Sequence, residues 1–382
     1  MEIRWDERLS RRSWAKADPR EPARQQPRPT RLTCGQTQGN ISAPSLVWDG
    51  VKDFGSNFLS ITCLVLSLAS ADVYAGTYDP LVVDPAFRPS QLDLTVHDAA
   101  RNRDLPIRVY LPANTAPEPV VLFSHGLGGS RTGSVFLGEH WAARGYVAVF
   151  LQHPGSDDSV WKNEPAPQRM QAMHQAASLD NFLLRVRDVP AVLNQLEIWN
   201  GDKTNPLAGR LDLKKIGMSG HSFGAVTTEA VSGETLDVGG QRFADPHIKA
   251  AIAFSPSSPK AGSAAKAFGS VTIPWMLMTG TKDVAPIGDA NVASRLAVYP
   301  ALHGAPKYQV VLNNAEHSAF TDRPLPGDRE PRNPNHHRVI LALSTAFWDA
   351  YLRGDAGALA WLNGAGPRSV MEPADQWQCS TH

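Results

Sequence analysis

Cysteine is scarce. Cys34, Cys63 and Cys379 are the whole supply in 382 residues, with neither metal-ligand spacing nor a pairing pattern. That argues against a structural zinc site and against a disulfide scaffold. An excess of charge of either sign is also missing: Lys+Arg and Asp+Glu each number 37, for a net charge of zero. Nucleic acid and anionic membranes leave a basic footprint on their partners, and this chain has none. The apolar run Phe58–Ala71 is well short of the roughly twenty residues that a membrane-spanning helix needs. What remains is a 42% hydrophobic, 19% charged chain, long enough for one large or two modest globular domains.

Residues 1–56 carry no hydrophobic period, as in REPARQQPRPTR, and are expected to lie outside any folded core. Residues 57–75 read as a signal peptide: an apolar run followed by the small-residue sequences Ala69-Ser70-Ala71 and Val73-Tyr74-Ala75. A buried core helix is the plainer alternative. Such a segment normally opens a chain, so translation is expected to start near Val51. The protein would then be secreted or periplasmic, and cleavage after Ala71 or Ala75 would leave Cys379 alone, without an intramolecular disulfide. The folded domain is expected to occupy residues 76–382.

Gln91–Val96 and Leu105–Leu111 alternate or return as strands of an antiparallel hairpin at a sheet edge. Pro119–Phe123, Tyr146–Leu151, Ile248–Phe254, Ile273–Met278 and Tyr308–Leu312 are continuous apolar runs, the mark of strands buried on both faces. Helical patterns over Val135–Arg144, Arg185–Trp199, Val339–Leu352 and Asp355–Leu362 separate or follow them. Strand, helix and strand in succession predict a mostly parallel α/β sheet with helices on both faces. The tail to His382 carries no readable signal.

The chemistry gathers around Lys214–Glu229. An apolar run there ends in Gly220-His221-Ser222-Phe223-Gly224, and a helical pattern follows. This is a G-x-S-x-G turn between strand and helix, tight enough to strain Ser222 and to require Gly220 and Gly224. Ser222 is the candidate nucleophile. A serine hydroxyl needs a base to remove its proton, and the base needs an orienting acid. His317, after the strand Tyr308–Leu312, and Asp283, after Ile273–Met278, are the candidates; Asp289 is the rival acid, and Glu316 is expected to point elsewhere. The Ser–Asp–His order distinguishes this arrangement from other well-known triads.

The loop Ser124-His125-Gly126-Leu127-Gly128-Gly129-Ser130 lacks the lysine of a phosphate loop. It fits a turn that donates a backbone N–H to an oxyanion, with Leu127 and Phe223 as candidate donors. His125 is expected to bond within the loop. Asp157 and Asp158 read as a solvated turn, and His336-His337 as the exposed start of a helix. Trp161, Met170 and Met173 either line an acyl pocket or simply pack. No metal or organic cofactor is called for.

FSHGLGGSR, QHPGSD, GMSGHSFGA, TGTKD and NNAEHSAF together resemble the predicted dienelactone hydrolases of the α/β-hydrolase superfamily, over roughly Leu92–Leu362. That group is similar to platelet-activating-factor acetylhydrolase and, more distantly, to chlorophyllases and bacterial polyester hydrolases. The resemblance implies an α/β-hydrolase fold and a serine esterase with Ser222, Asp283 and His317 as triad and Leu127 and Phe223 as oxyanion donors. Two positions depart from the pattern. Dienelactone hydrolases use cysteine where Ser222 stands, and the acetylhydrolase carries its acid after the strand that here reads Ala253-Phe254-Ser255. The expected substrate is a small-molecule carboxylic ester; a lactone, amide or polyester, or a non-catalytic binding role, are the alternatives.

Overall fold

The computed structural model describes residues 78–236, 243–260, 262–325 and 327–381. The expected extension (1–56), the expected signal segment (57–75) and residues 76 and 77 of the expected catalytic domain lie outside that set. Strand patterning decides where each strand sits. β1 (Ser90–Asp98) and β2 (Arg103–Leu111) pair antiparallel and form the sheet's edge, with alternating burial along β1. β3 (Glu118–Ser124), β4 (Val147–Leu151), β5 (Leu211–His221), β6 (Ile248–Phe254), β7 (Trp275–Lys282) and β8 (Lys307–Glu316) run parallel to one another. β9 (Gln376–Ser380) closes the far edge antiparallel to β8, giving the order β1-β2-β4-β3-β5-β6-β7-β8-β9.

Side chains alternate across the sheet, so each central strand feeds two cores. Val121 and Phe123 of β3 join one cluster, while Val120 and Leu122 join the other. The first cluster is roofed by α1 (Val135–Ala143) and by α9 (Pro334–Trp348), which continues as a π-helical turn over Asp349–Arg353. Beyond it lie α10 (Ala356–Asn363) and α11 (Gly366–Val370). The second cluster is roofed by α4 (Leu179–Gly201) and α5 (Phe223–Val231). Between β4 and α4 stand two further helices, α2 (Ser159–Lys162) and α3 (Ala166–Ala176). The short α6 (Ala264–Phe268), α7 (Val292–Leu296) and α8 (Val298–Ala301) accompany the later strands. Each fully buried Val, Leu or Phe contributes about 1.5–3 kcal/mol, so the two clusters outweigh any surface pair in holding the sheet.

Three expectations need correction. β7 and β8 outrun their apolar segments, through Thr279–Lys282 and Asn313–Glu316, because ladder pairing needs only backbone N–H and C=O groups. α4 starts at Leu179 rather than Arg185, since the Ser178 side chain caps it by accepting from the Asn181 N–H. The tail, without a pattern of its own, becomes a strand because β8 offers it an open edge. Among the described residues no helix is long and apolar enough to cross a membrane.

Candidate active site

β5 ends at His221, and α5 begins at Phe223, so a single residue must reverse the chain. Ser222 does so at φ 57° and ψ −115°, a conformation a side-chain-bearing residue adopts only under constraint. The constraint is visible in its neighbours. A Cβ on Gly224 would lie 1.9 Å from the Ser124 carbonyl oxygen, and one on Gly220 would lie 2.3 Å from the Gly224 oxygen. β3, β5 and α5 are therefore in backbone contact, and the Ser222 N–H is held by the Phe254 carbonyl at 3.0 Å. The Ser222 side chain caps nothing on α5; it points away from the helix.

There it meets His317, whose Nε2 is 2.8 Å from Ser222 Oγ. His317 Nδ1 is 2.7 Å from Asp283 Oδ1. The strand extensions deliver both residues: Asp283 follows β7 directly and His317 follows β8 directly. Asp283 is completely buried, and its Oδ2 accepts from Thr279 Oγ1 at 2.8 Å. Burial pushes its carboxyl up, but the hydrogen bond and charge of His317 and the Arg295 guanidinium outweigh that and hold it at about 2. Asp289, the rival, is exposed and paired with Lys260. Glu316 turns away and accepts from the Arg329 and Glu330 N–H groups.

Two groups that sequence reasoning missed support this chain. Arg295 on α7 is 1% exposed, donates to the Asp283 carbonyl at 2.8 Å, and has its Nε 3.0 Å from Asp283 Oδ1. Its Nη2 lies 3.2 Å from His317 Nδ1. That nitrogen's proton belongs to the shorter bond to Asp283, so the Arg295 contact is one of charge proximity. His221 Nε2–H donates to the His317 carbonyl at 3.0 Å, and the two rings lie 4.6 Å apart. Burial keeps His221 well below the usual imidazole range, so it is a neutral donor. Neither residue carries a local pattern that marks it; only the fold brings them to the site.

The loop after β3 lies against the same serine: a Cβ on Gly126 would meet Ser222 Cβ at 3.4 Å. The Gly126 carbonyl accepts from His125 Nδ1 at 2.6 Å and from the Gly129 N–H at 3.0 Å. A trans peptide points its N–H opposite its C=O, so the Leu127 N–H faces away from those donors. Among the described residues, neither the Leu127 nor the Phe223 N–H donates to a protein acceptor. His125 does bond within the loop, with burial and the nearby Arg185 pushing its ring well down and keeping it neutral.

The excursion between β4 and α4 rests on this loop. Trp161 Nε1 donates to the Gly128 carbonyl at 2.8 Å, and Met173 lies beside Gly128. Met170 is 53% exposed on α3. Asp157 is a correction: it is buried rather than solvated, accepting from Gln152 Nε2 at 2.7 Å and Ser159 Oγ at 2.5 Å. His336 is another, being buried with Nε2 3.0 Å from the Asn313 carbonyl, because the β8 extension passes over the start of α9. Among the described residues, no group of three or more His, Cys, Asp and Glu could hold a metal ion.

A family model described as PET hydrolase-like (PETase) matches residues 169–324, a stretch that holds Ser222, Asp283 and His317 but begins after the Leu127 loop. No curated protein matches the chain. A nine-stranded, mostly parallel sheet with an antiparallel leading hairpin, a positive-φ serine between β5 and α5, and this match together give the chain an α/β-hydrolase fold.

Proposed function

We propose that the protein is a serine hydrolase of carboxylic esters, acting through an acyl-enzyme at Ser222. The observation that carries this is the continuous bond path from Ser222 Oγ through His317 to the buried Asp283, at 2.8 and 2.7 Å. Incidental serines seldom combine a strained backbone with a base at hydrogen-bond distance.

In the proposed reaction His317 Nε2 takes the Ser222 proton as Oγ attacks the ester carbonyl. Asp283 holds the Nδ1–H tautomer and stabilises the imidazolium that forms. The carbonyl oxygen becomes an anion, which the Leu127 and Phe223 N–H groups receive; one such donor is worth about 2.7–4 kcal/mol in other enzymes. The imidazolium then protonates the alcohol as the C–O bond breaks, leaving the acyl group on Ser222. Water, deprotonated by the same imidazole, attacks the acyl carbon, and the acid departs as the serine recovers its proton. No step calls for a metal or organic cofactor.

A polyester substrate is the second reading, and the PET hydrolase-like match favours it. A panel of p-nitrophenyl esters from acetyl to palmitoyl, run beside product release from a polyester film, separates the two. A fluorophosphonate probe tests the common core: one label per chain is expected, abolished in Ser222→Ala. Absence of label, or label that survives that substitution, overturns the serine mechanism and leaves a non-catalytic binding role.

A further inference from the structure

Against the loop that carries Leu127, α4 buries a charged residue that the proposed reaction never touches. Arg185 is 0% exposed, and its guanidinium serves both halves of the candidate oxyanion site. Toward the loop, Nη2 donates to the His125 carbonyl and to Ser124 Oγ, the latter at 3.2 Å. Toward α5, Nε donates to Thr227 Oγ1 at 3.1 Å, and the guanidinium carbon sits 4.6 Å over the Phe223 ring. Nη1 reaches Ser156 Oγ at 2.9 Å, and the Ser156 carbonyl in turn holds the Gly128 N–H at 2.9 Å.

A second buried chain completes the arrangement. Ser124 Oγ lies 2.9 Å from His153 Nε2, and His153 Nδ1 lies 2.9 Å from Asp188 Oδ2. Burial, with Arg185 beside it, pulls His153 down to about 4, so its neutral ring donates from Nδ1 and accepts the Ser124 proton at Nε2. Ser124, His153 and Asp188 are all 0% exposed, which denies this second Ser–His–Asp chain any substrate. Asp188, three residues after Arg185 on α4, supplies the negative charge that Arg185 and Arg103 need in the interior.

We propose that Arg185 is a positioning residue for the oxyanion site, locking the Leu127 and Phe223 N–H groups into one frame. A planar guanidinium has five N–H donors in a fixed fork, so it can hold three elements at set distances where an ammonium cannot. The peptide before Gly126 is fixed by Arg185, the peptide after it by the His125 ring, and the Phe223 side chain by the guanidinium face. Leu127 and Phe223 come from segments far apart in sequence, and Arg185 is the group that touches the neighbourhood of both.

The proposal rests on the esterase reading, and its test is built to separate the two. Arg185→Met and Arg185→Lys are compared with wild type on a p-nitrophenyl ester, with rates divided by the fluorophosphonate end-point count of active sites. Loss of transition-state stabilisation predicts that kcat per active site falls about 10²–10³-fold in Arg185→Met, the cost of losing an oxyanion donor, with KM within about threefold. The inhibition constant of a boronic acid analogue should rise in parallel, and Arg185→Lys should fall between. A merely structural role moves the melting temperature and the active-site count but leaves both per-site quantities near wild type; that result overturns the proposal. Should Arg185→Met fail to fold, Thr227→Val removes the acceptor of Arg185 Nε, together with the Oγ1 donation to the Phe223 carbonyl, and should show the same kcat-against-KM split at about threefold to tenfold; an unchanged kcat there overturns it equally. Wild type without turnover or label defeats the esterase reading itself.

Discussion

His317 stands between a hydroxyl and a buried carboxylate, and each of its ring nitrogens has one partner within 2.8 Å. In the proposed mechanism, removing the ring removes the proton acceptor, so His317→Ala should lower kcat by at least ~10³-fold. Steady-state kinetics check this, and a loss within tenfold would rule the assignment out. Asp283→Asn should cost on the order of 10⁴-fold, because an amide donor facing Nδ1 selects the wrong tautomer. Ester turnover by that variant, with active sites counted, provides the measurement. His317 and Asp283 were legible as candidates because each follows an apolar strand in a recognisable chain order. Arg295 and Arg185 were not legible. An arginine on a helix is usually solvated, and no local pattern says that a fold will bury it against carbonyls.

At the scale of elements, the turn at Ser222 depends on backbones packed closer than any side chain permits. Gly224→Ala would put a Cβ 1.9 Å from the Ser124 oxygen, which is backbone and cannot swing aside. We expect destabilisation of about 3 kcal/mol or more, or failure to accumulate folded. Gly201→Ala is the control, since nothing lies within 4 Å of a Cβ there and no positive φ is required. Urea unfolding midpoints should fall sharply for the first and stay near wild type, or rise, for the second. The need for glycine at 220 and 224 was visible in the motif. The lengths of β7 and β8 were not, because their last residues are polar and are recruited by pairing with a neighbour strand rather than by burial. Those unseen residues put Asp283 and His317 within reach of Ser222.

Across the whole molecule, a second pair of acids sits outside the reaction. Glu229 on α5 and Glu234 just beyond it are buried, and among the described residues neither Oε2 has a hydrogen-bond partner. Glu229 Oε1 accepts from the Ser257 N–H at 3.0 Å. Burial raises both carboxyls, Glu229 further through its neighbour Glu234 and against Arg295, and Glu234 reaches about 8 from an ordinary 4.5. The folded protein then holds a proton that the unfolded chain releases, so this group's contribution to stability is complete below pH 4.5 and is lost as pH rises through about 8. Each pH unit in that window costs up to about 1.4 kcal/mol. Asp283 works in the opposite sense: its contribution is present above pH 3.8 and is lost as pH falls through about 2. Glu234→Gln should therefore flatten the decline in melting temperature between pH 5 and 8; an unchanged slope would remove Glu234 as its source.

By itself the sequence determined the sheet-and-helix plan, the elbow at Ser222 and the order of its partners, since hydrophobic period, glycine placement and strand-end polar residues are local properties of a chain. Tertiary structure alone decided the strand extensions, the edge strand β9, and the burial of Arg185, Arg295, His153 and Asp188 around the site. Those depend on which backbone or side chain a residue meets, and such partners lie 29 to 85 positions away along the chain.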